Sequence, residues 1–294
     1  MSEQSAARQV LTVLDAGLLS TLQDTGRPGH AHLGVPPSGA MDRAAWQTAN
    51  LLVGNAIDAA CIESTFDGCS VEFDADCVVA VTGAASTLSC SDPSAHAGVG
   101  SAFRVRAGRT LRLRIDDGMR SYLAVRGGLR PDRGSQLGSF STDLLSGLGP
   151  PVLTSGTALF HAGLVISTPA DPPLVQYTAP SPLTLPVVLG PRDDELTSAG
   201  LRSLLTSTFT VSPESNRVGL RLTGPRIDRR SGAELPSEGL VTGALQLPPH
   251  GQLVVFGPDH PTTGGYPVVA VVRDRALDQI AQLRPGDLLR FSRG

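Results

Sequence analysis

Residues 77–83 read CVVAVTG, and residues 267–273 read PVVAVVR. Both are short apolar, β-branched runs, which suits a strand buried in a sheet better than a helix. Working outward, VRAGRTLRLRI at 105–115 is answered by LRPGDLLRFSR at 283–293. Gly39-Ala40-Met41 is answered by Gly243-Ala244-Leu245, and Arg27-Pro28-Gly29 with Gly34 by Arg217-Val218-Gly219 with Gly224. The matches keep one order in both halves, which predicts two copies of a single β unit.

The remaining chain supports a mainly β protein with a few short helices. Residues 9–22 alternate apolar and polar side chains, as a half-buried strand broken at Gly17 would. CIESTF, SVEF, TLRLRI and SYLAVRG read as further strands, with Asp-Gly turns at 67–68 and 117–118. Glu63 lies inside one of these strands, facing either solvent or the interior. Asp42 stands where a helix N-cap belongs, and the helix it opens runs to Gly54, with Asn50 and Asn55 as capping residues at its far end. A second helix is expected over 192–208 and a short third one over 274–283. The proline-rich stretch around 169–186 marks the boundary, giving domains at 1–170 and 184–294 with a linker at 171–183.

Composition removes several classes of function. Net charge is −3, so there is no basic field for nucleic acid and no polybasic patch for a membrane. No apolar run is long enough to span a bilayer, and the polar start MSEQSAARQ does not resemble a signal peptide, so a cytoplasmic location is expected. All 24 basic residues are arginine. The chain therefore offers no Schiff-base lysine, no phosphate-loop lysine and no lysine to carry biotin. Cys61, Cys69, Cys77 and Cys90 show no metal-ligand spacing and read as buried structural thiols.

The richest polar stretch is QDTGRPGHAHLGVPPSGAMD at 23–42. Its glycines and prolines enforce an ordered loop. Gln23, Asp24, Arg27, His32, Ser38 and Asp42 are interleaved with them, as in the wall of a small polar pocket. A solvated Ω-loop has the same composition. PTTGGYP at 261–267 pairs hydroxyls with tandem glycine, which either lines an anion site with N–H groups or makes a hairpin turn. No catalytic triad order, metal-ligand spacing or GxSxG elbow is present.

The run at 23–42, continued by AWQTANLLVGNAIDAACIESTFDG at 45–68, resembles the signature of the biotin-dependent carboxyltransferase-like family. YLAVRGGL at 122–129, SNRVGLRLTG at 215–224, PTTGGYPVVAVV at 261–272 and QLRPGDLLRF at 282–291 extend the resemblance over nearly the whole chain. It implies two cyclophilin-like β-barrel domains from an internal duplication. It also implies a subunit of an ATP-dependent enzyme that hydrolyses amide-type C–N bonds, above all 5-oxoproline to glutamate. The partners implied are a Kip-inhibitor-like protein (the B component of 5-oxoprolinase, or allophanate hydrolase subunit 1) and a third catalytic subunit. Other family readings are carboxyl transfer from biotin carried on another chain and non-catalytic antagonism of a Kip-type kinase inhibitor.

Carried onto this sequence, Arg27 and Arg217 would bind carboxylate or phosphate. His32, Asp42 and Glu63, the last taken as inward-facing, would transfer protons, and Thr262, Thr263, Gly264, Gly265 and Tyr266 would donate to an oxyanion. Gln23, Asp24, Ser38, Asn50 and Asn216 complete the set expected to bind a small amide or carboxylate substrate. The sequence departs from the family where GSFST at 138–142 has Phe140 in place of an arginine, and again across GLGPPVLTSGTALF at 147–160.

Overall fold

The computed structural model describes residues 8–164, 167–170, 181–230 and 235–294. The proline-rich linker lies mostly outside these residues. The chain divides into two compact units, and the loop Arg27–Met41 and the short segment Asp143–Ser146 group with the later part of the sequence. Among the described residues no helix is long and apolar enough to cross a membrane.

The first unit holds β1 (Gln9–Asp15), β2 (Leu19–Gln23), α1 (Arg43–Val53), β3 (Cys61–Thr65), β4 (Cys69–Phe73), β5 (Cys77–Cys90), β6 (Ala102–Val105), β7 (Arg109–Val125), β8 (Leu129–Arg130) and β9 (Ala158–His161). They form one barrel-like sheet in the order β2-β3-β7-β4-β1-β9-β8, with β5 along the other edge of β7 and β6 beyond it. Alternating apolar residues such as Val71, Phe73, Leu111, Leu113, Leu123 and Val125 point inward to make the core.

Gly17 divides β1 from β2 as expected, and the reason is space. A Cβ there would meet the Gly68 carbonyl oxygen at 2.1 Å. Asp-Gly at 67–68 makes the expected turn, with φ +81° at Gly68. Asp-Gly at 117–118 does not. It lies inside the unbroken strand β7, where the register against β5 shifts and Gly118 takes φ +84°. A bulge needs the same left-handed glycine as a turn, so composition could not separate them. Helix α1 is capped as read, by Asp42 accepting from the Ala45 N–H at 2.9 Å and by Gly54 at φ +71°. Asn50 and Asn55 close the cap through their backbones, the Asn55 N–H donating to the Asn50 carbonyl at 2.9 Å, and their side chains do more. They bind Ala59 and Val125 carbonyls and bolt the helix end to the sheet.

The second unit holds β10 (Leu183–Leu189), α2 (Ser198–Thr206), β11 (Phe209–Val211), β12 (Gly219–Thr223), β13 (Glu238–Gly239), β14 (Ala244–Gln246), β15 (Val254–Phe256), β16 (Thr263–Gly264), β17 (Val268–Val272), α3 (Leu277–Ile280) and β18 (Leu288–Arg293). Seven of these strands close a barrel in the order β10-β17-β14-β15-β12-β11-β18. Its interior is filled by residues such as Leu185, Phe209, Leu222, Leu245, Val269 and Phe291. The helix expected over 192–208 begins later, at Thr197, whose side chain caps Gly200; Asp193–Glu195 forms a separate 3-10 turn.

The chain is thus mainly β, with a barrel-like sheet in each unit and few helices. The echoed runs become strands β5 and β17, yet their ladders differ. β5 pairs with β6 and β7, whereas β17 pairs with β10 and β14.

Candidate functional site

The expected site residues fall into separate groups within the two units. In the first unit Gln23 and Asp24 hold a loop in place. The Asp24 carboxylate accepts from the Ser139 and Ser141 hydroxyls and the Phe140 N–H, each at 2.6 Å. The Gln23 amide donates to the Thr142 carbonyl at 2.9 Å. The segment GSFST, where the sequence departs from its family, is therefore anchored by the opening loop's first polar pair.

Glu63 faces inward and is buried. It stands opposite Tyr122 across the β3–β7 ladder, and the Tyr122 hydroxyl donates to its carboxylate at 2.7 Å. That same hydroxyl accepts from the Asp42 N–H at 2.7 Å, and the Arg120 guanidinium lies 3.7 Å from the second carboxylate oxygen. Burial, then the neighbouring Glu63 and Asp42 charges, push the Tyr122 phenol well above its usual range. It stays a donor at any physiological pH. Tyr122 and Arg120, not among the expected site residues, sit on strand β7, where Tyr122 reads as one more strand residue of SYLAVRG.

In the second unit Arg217 and Asp259 form a fully buried bidentate pair. The guanidinium donates to both carboxylate oxygens, at 2.9 and 3.0 Å, and to the Gly39 carbonyl at 2.6 Å. Ser38 donates to the same carboxylate at 2.9 Å. The carboxylate that Arg217 grips thus belongs to its own unit. The pair fastens the loop carrying Ser38 to the turn between β15 and Thr262. Arg27 is also buried, with its N–H on the Pro37 carbonyl at 2.6 Å. His32 is exposed on a 3-10 turn.

Asn216 and Tyr266 line a cavity of about 470 Å³ on the barrel of the second unit. Arg221, Gln246 and His250 face it with them, and Phe256, Val254 and Val218 form an apolar wall. Asn216 spends its side-chain oxygen on the Val218 N–H at 2.9 Å, which fixes the turn into β12. His250 accepts from the Gln252 N–H through Nδ1 at 3.2 Å, which leaves Nε2 as the donor of the neutral ring. Gly264 is close-packed rather than turned, because a Cβ would meet the Gln246 amide nitrogen at 2.7 Å. Thr263 and Gly264 pair with Glu238 and Gly239 in a short ladder, so of PTTGGYP only Tyr266 lines the cavity. Arg221, Gln246 and His250 were not among the expected site residues; Arg221 lies in the run SNRVGLRLTG at 215–224, and Gln246 and His250 in QLPPHG at 246–251.

This arrangement suits a small, partly apolar molecule with polar ends. Among the described residues no cluster of three His, Cys, Asp or Glu could hold a metal ion.

Residues 33–293 match the family described as carboxyltransferase domain, subdomain A and B. The chain belongs to this carboxyltransferase-domain family. It is 34% identical over 287 residues to the C component of 5-oxoprolinase from Escherichia coli (strain K12), covering 96% of this chain and 90% of that protein. Identity to the corresponding 5-oxoprolinase component of Haemophilus influenzae is 32% with the same coverage. Among solved members, the urea amidolyase of Kluyveromyces lactis superposes with a TM-score of 0.89 at 26% identity. That alignment covers 98% of this chain but 19% of the fungal protein.

Proposed function

We propose that this chain is the C component of an ATP-dependent 5-oxoprolinase, which opens the cyclic amide of 5-oxoproline to glutamate. The observation that carries this reading is the end-to-end match, 96% of this chain on 90% of the bacterial component. The reaction breaks a C–N bond; the carbonyl carbon gains an oxygen from water and the nitrogen takes a proton. The residues lining the cavity of the second unit offer binding and orienting groups but no serine, threonine or cysteine nucleophile. We therefore assign the chemistry to a complex with a Kip-inhibitor-like subunit and a third catalytic subunit. ATP is assigned to a partner, because a chain without lysine has no phosphate-loop cation.

In this reading the cavity of the second unit receives substrate. Arg221 meets its carboxylate, while Gln246, His250 and Tyr266 donate to the amide oxygen as charge develops there. Thr262, Thr263 and Gly265 shape the loop that presents Tyr266. Arg217, Ser38 and Asp259 act as positioning residues beneath it. In the first unit Glu63, Asp42 and Tyr122 hold the mouth of α1, and Asn50 the helix's far end.

The test is co-expression with a Kip-inhibitor-like protein from the same genome, then assay with 5-oxoproline, ATP and the third subunit. Co-purification and ATP-dependent glutamate release are expected, with no activity from this chain alone. Arg221→Ala and Tyr266→Phe should each lower kcat/KM by about ten- to a hundredfold without loss of the complex. Separate elution of the two proteins would overturn the reading, and wild-type turnover by both variants would remove the cavity from it.

The urea amidolyase superposition supports a second reading, carboxyl transfer from biotin. It requires a biotinylated lysine on another chain. Avidin blotting of the co-purified complex tells the two apart.

A further inference from the structure

The first unit carries a cavity of about 520 Å³ that none of the site residues above lines. Its floor is Val78 on β5. Val78 stands opposite Arg104 in the β5–β6 ladder, and its carbonyl accepts the Arg126 N–H at 2.8 Å from the β7 side. Residues directly opposite one another project from the same face of a sheet. Arg104 and Arg126 therefore flank Val78 on one face, with backbones about 10 Å apart at a strand spacing of about 4.8 Å.

The acids in the cavity are already engaged. Asp92 accepts from the Ser94 N–H at 3.0 Å, the Ser94 hydroxyl at 2.7 Å and the Arg106 N–H at 3.1 Å. These bonds, the Ser94 hydroxyl foremost, hold its carboxyl at about 2. Asp76 accepts the Ala107 N–H at 2.9 Å. Arg126 spends two nitrogens on the Val53 and Ser167 carbonyls, which aims the guanidinium while leaving its remaining N–H groups. Among the described residues no hydrogen bond or ion pair engages the Arg104 guanidinium. A free guanidinium and a pre-aimed one thus face one concavity, in which Asp92 is held by three donors and Asp76 by the Ala107 N–H. Its volume falls in the range of small-molecule sites, roughly 300–1,000 Å³.

We propose that this cavity binds a small organic anion, a carboxylate or a phosphate ester, held between the Arg104 and Arg126 guanidinium groups. The site is separate from the one assigned to 5-oxoproline and does not depend on it.

The experiment is isothermal titration of the full-length chain with citrate and with inorganic phosphate, at constant ionic strength set by sodium chloride. Saturable one-to-one binding of at least one probe is expected; the probe that binds identifies the anionic group. Arg104→Ala should weaken it about tenfold or more. Val78→Phe, which fills the cavity and keeps both arginines, should abolish it. Arg202→Ala, an exposed arginine on α2, should leave it unchanged. Each variant is compared at an unchanged melting temperature. Absence of saturable binding by either probe, persistence in both Arg104→Ala and Val78→Phe, or an equal loss in Arg202→Ala would overturn the proposal.

Discussion

A buried guanidinium facing a buried carboxylate is stable only while both are present, because either one alone is an uncompensated charge in a poorly polarisable interior. Arg217→Ala or Asp259→Ala should each cost about 3–5 kcal/mol, whereas an Arg217→Met/Asp259→Leu double variant should recover much of that loss. Urea unfolding of the three proteins checks this, and equal losses in single and double variants would refute it. Tyr122 poses the same problem with a neutral group. Phenylalanine there leaves the Glu63 carboxylate and the Asp42 N–H short of a partner, so Tyr122→Phe should cost about 1–3 kcal/mol. Thiol reactivity adds a further residue-level outcome. Cys61 is buried and its pKa is raised by burial, while Cys90 is partly exposed. An aromatic disulfide reagent should modify Cys90 in the native protein and reach Cys61 only on unfolding.

At the scale of elements, α1 gives the sharpest test, since Asp42 is at once an N-cap and a sequence-level candidate for proton transfer. Its carboxylate is committed to the Ala45 N–H. Asp42→Ala should cost about 1 kcal/mol of stability, and Asp42→Asn, which keeps the cap, much less. If Asp42 moved a proton instead, the asparagine variant would be folded and inactive, so stability and activity measured on one preparation separate the roles. Strand β7 teaches a different lesson. Its Asp-Gly reads as a turn by local chemistry, but the strand continues because β3, β4 and β5 all pair with it. Ladder hydrogen bonds along two edges outweigh the local preference of two residues.

For the whole molecule, several acids in the first unit are held protonated above their ordinary range by burial. The Cys69 thiol is pushed to about 11 and the Cys77 thiol to about 12 from an ordinary 9.0, and Tyr122 lies well above 10.0. An acid whose pKa is raised on folding adds stability that is complete below its unfolded pKa and is lost as pH rises through the folded one. These groups therefore add no pH dependence below about pH 8, and the urea midpoint should decline from about pH 9 upward. A flat profile to about pH 11 would contradict the burial of these groups.

Much of the molecule could be read from one dimension. Apolar alternation and short apolar runs placed the longest strands; the Asp42 and Gly54 caps bounded α1; and the absence of lysine excluded a biotin carrier. These are legible because they depend on a residue and its near neighbours in the chain, where backbone sterics and solvent exposure act directly. The Arg217–Asp259 pair, the Glu63–Tyr122 contact and the Arg104–Val78–Arg126 row were not legible. Each is made by strand register between residues far apart in sequence. Whether a polar side chain meets a ligand or a neighbour depends on that register, and only the closed ladders decide it.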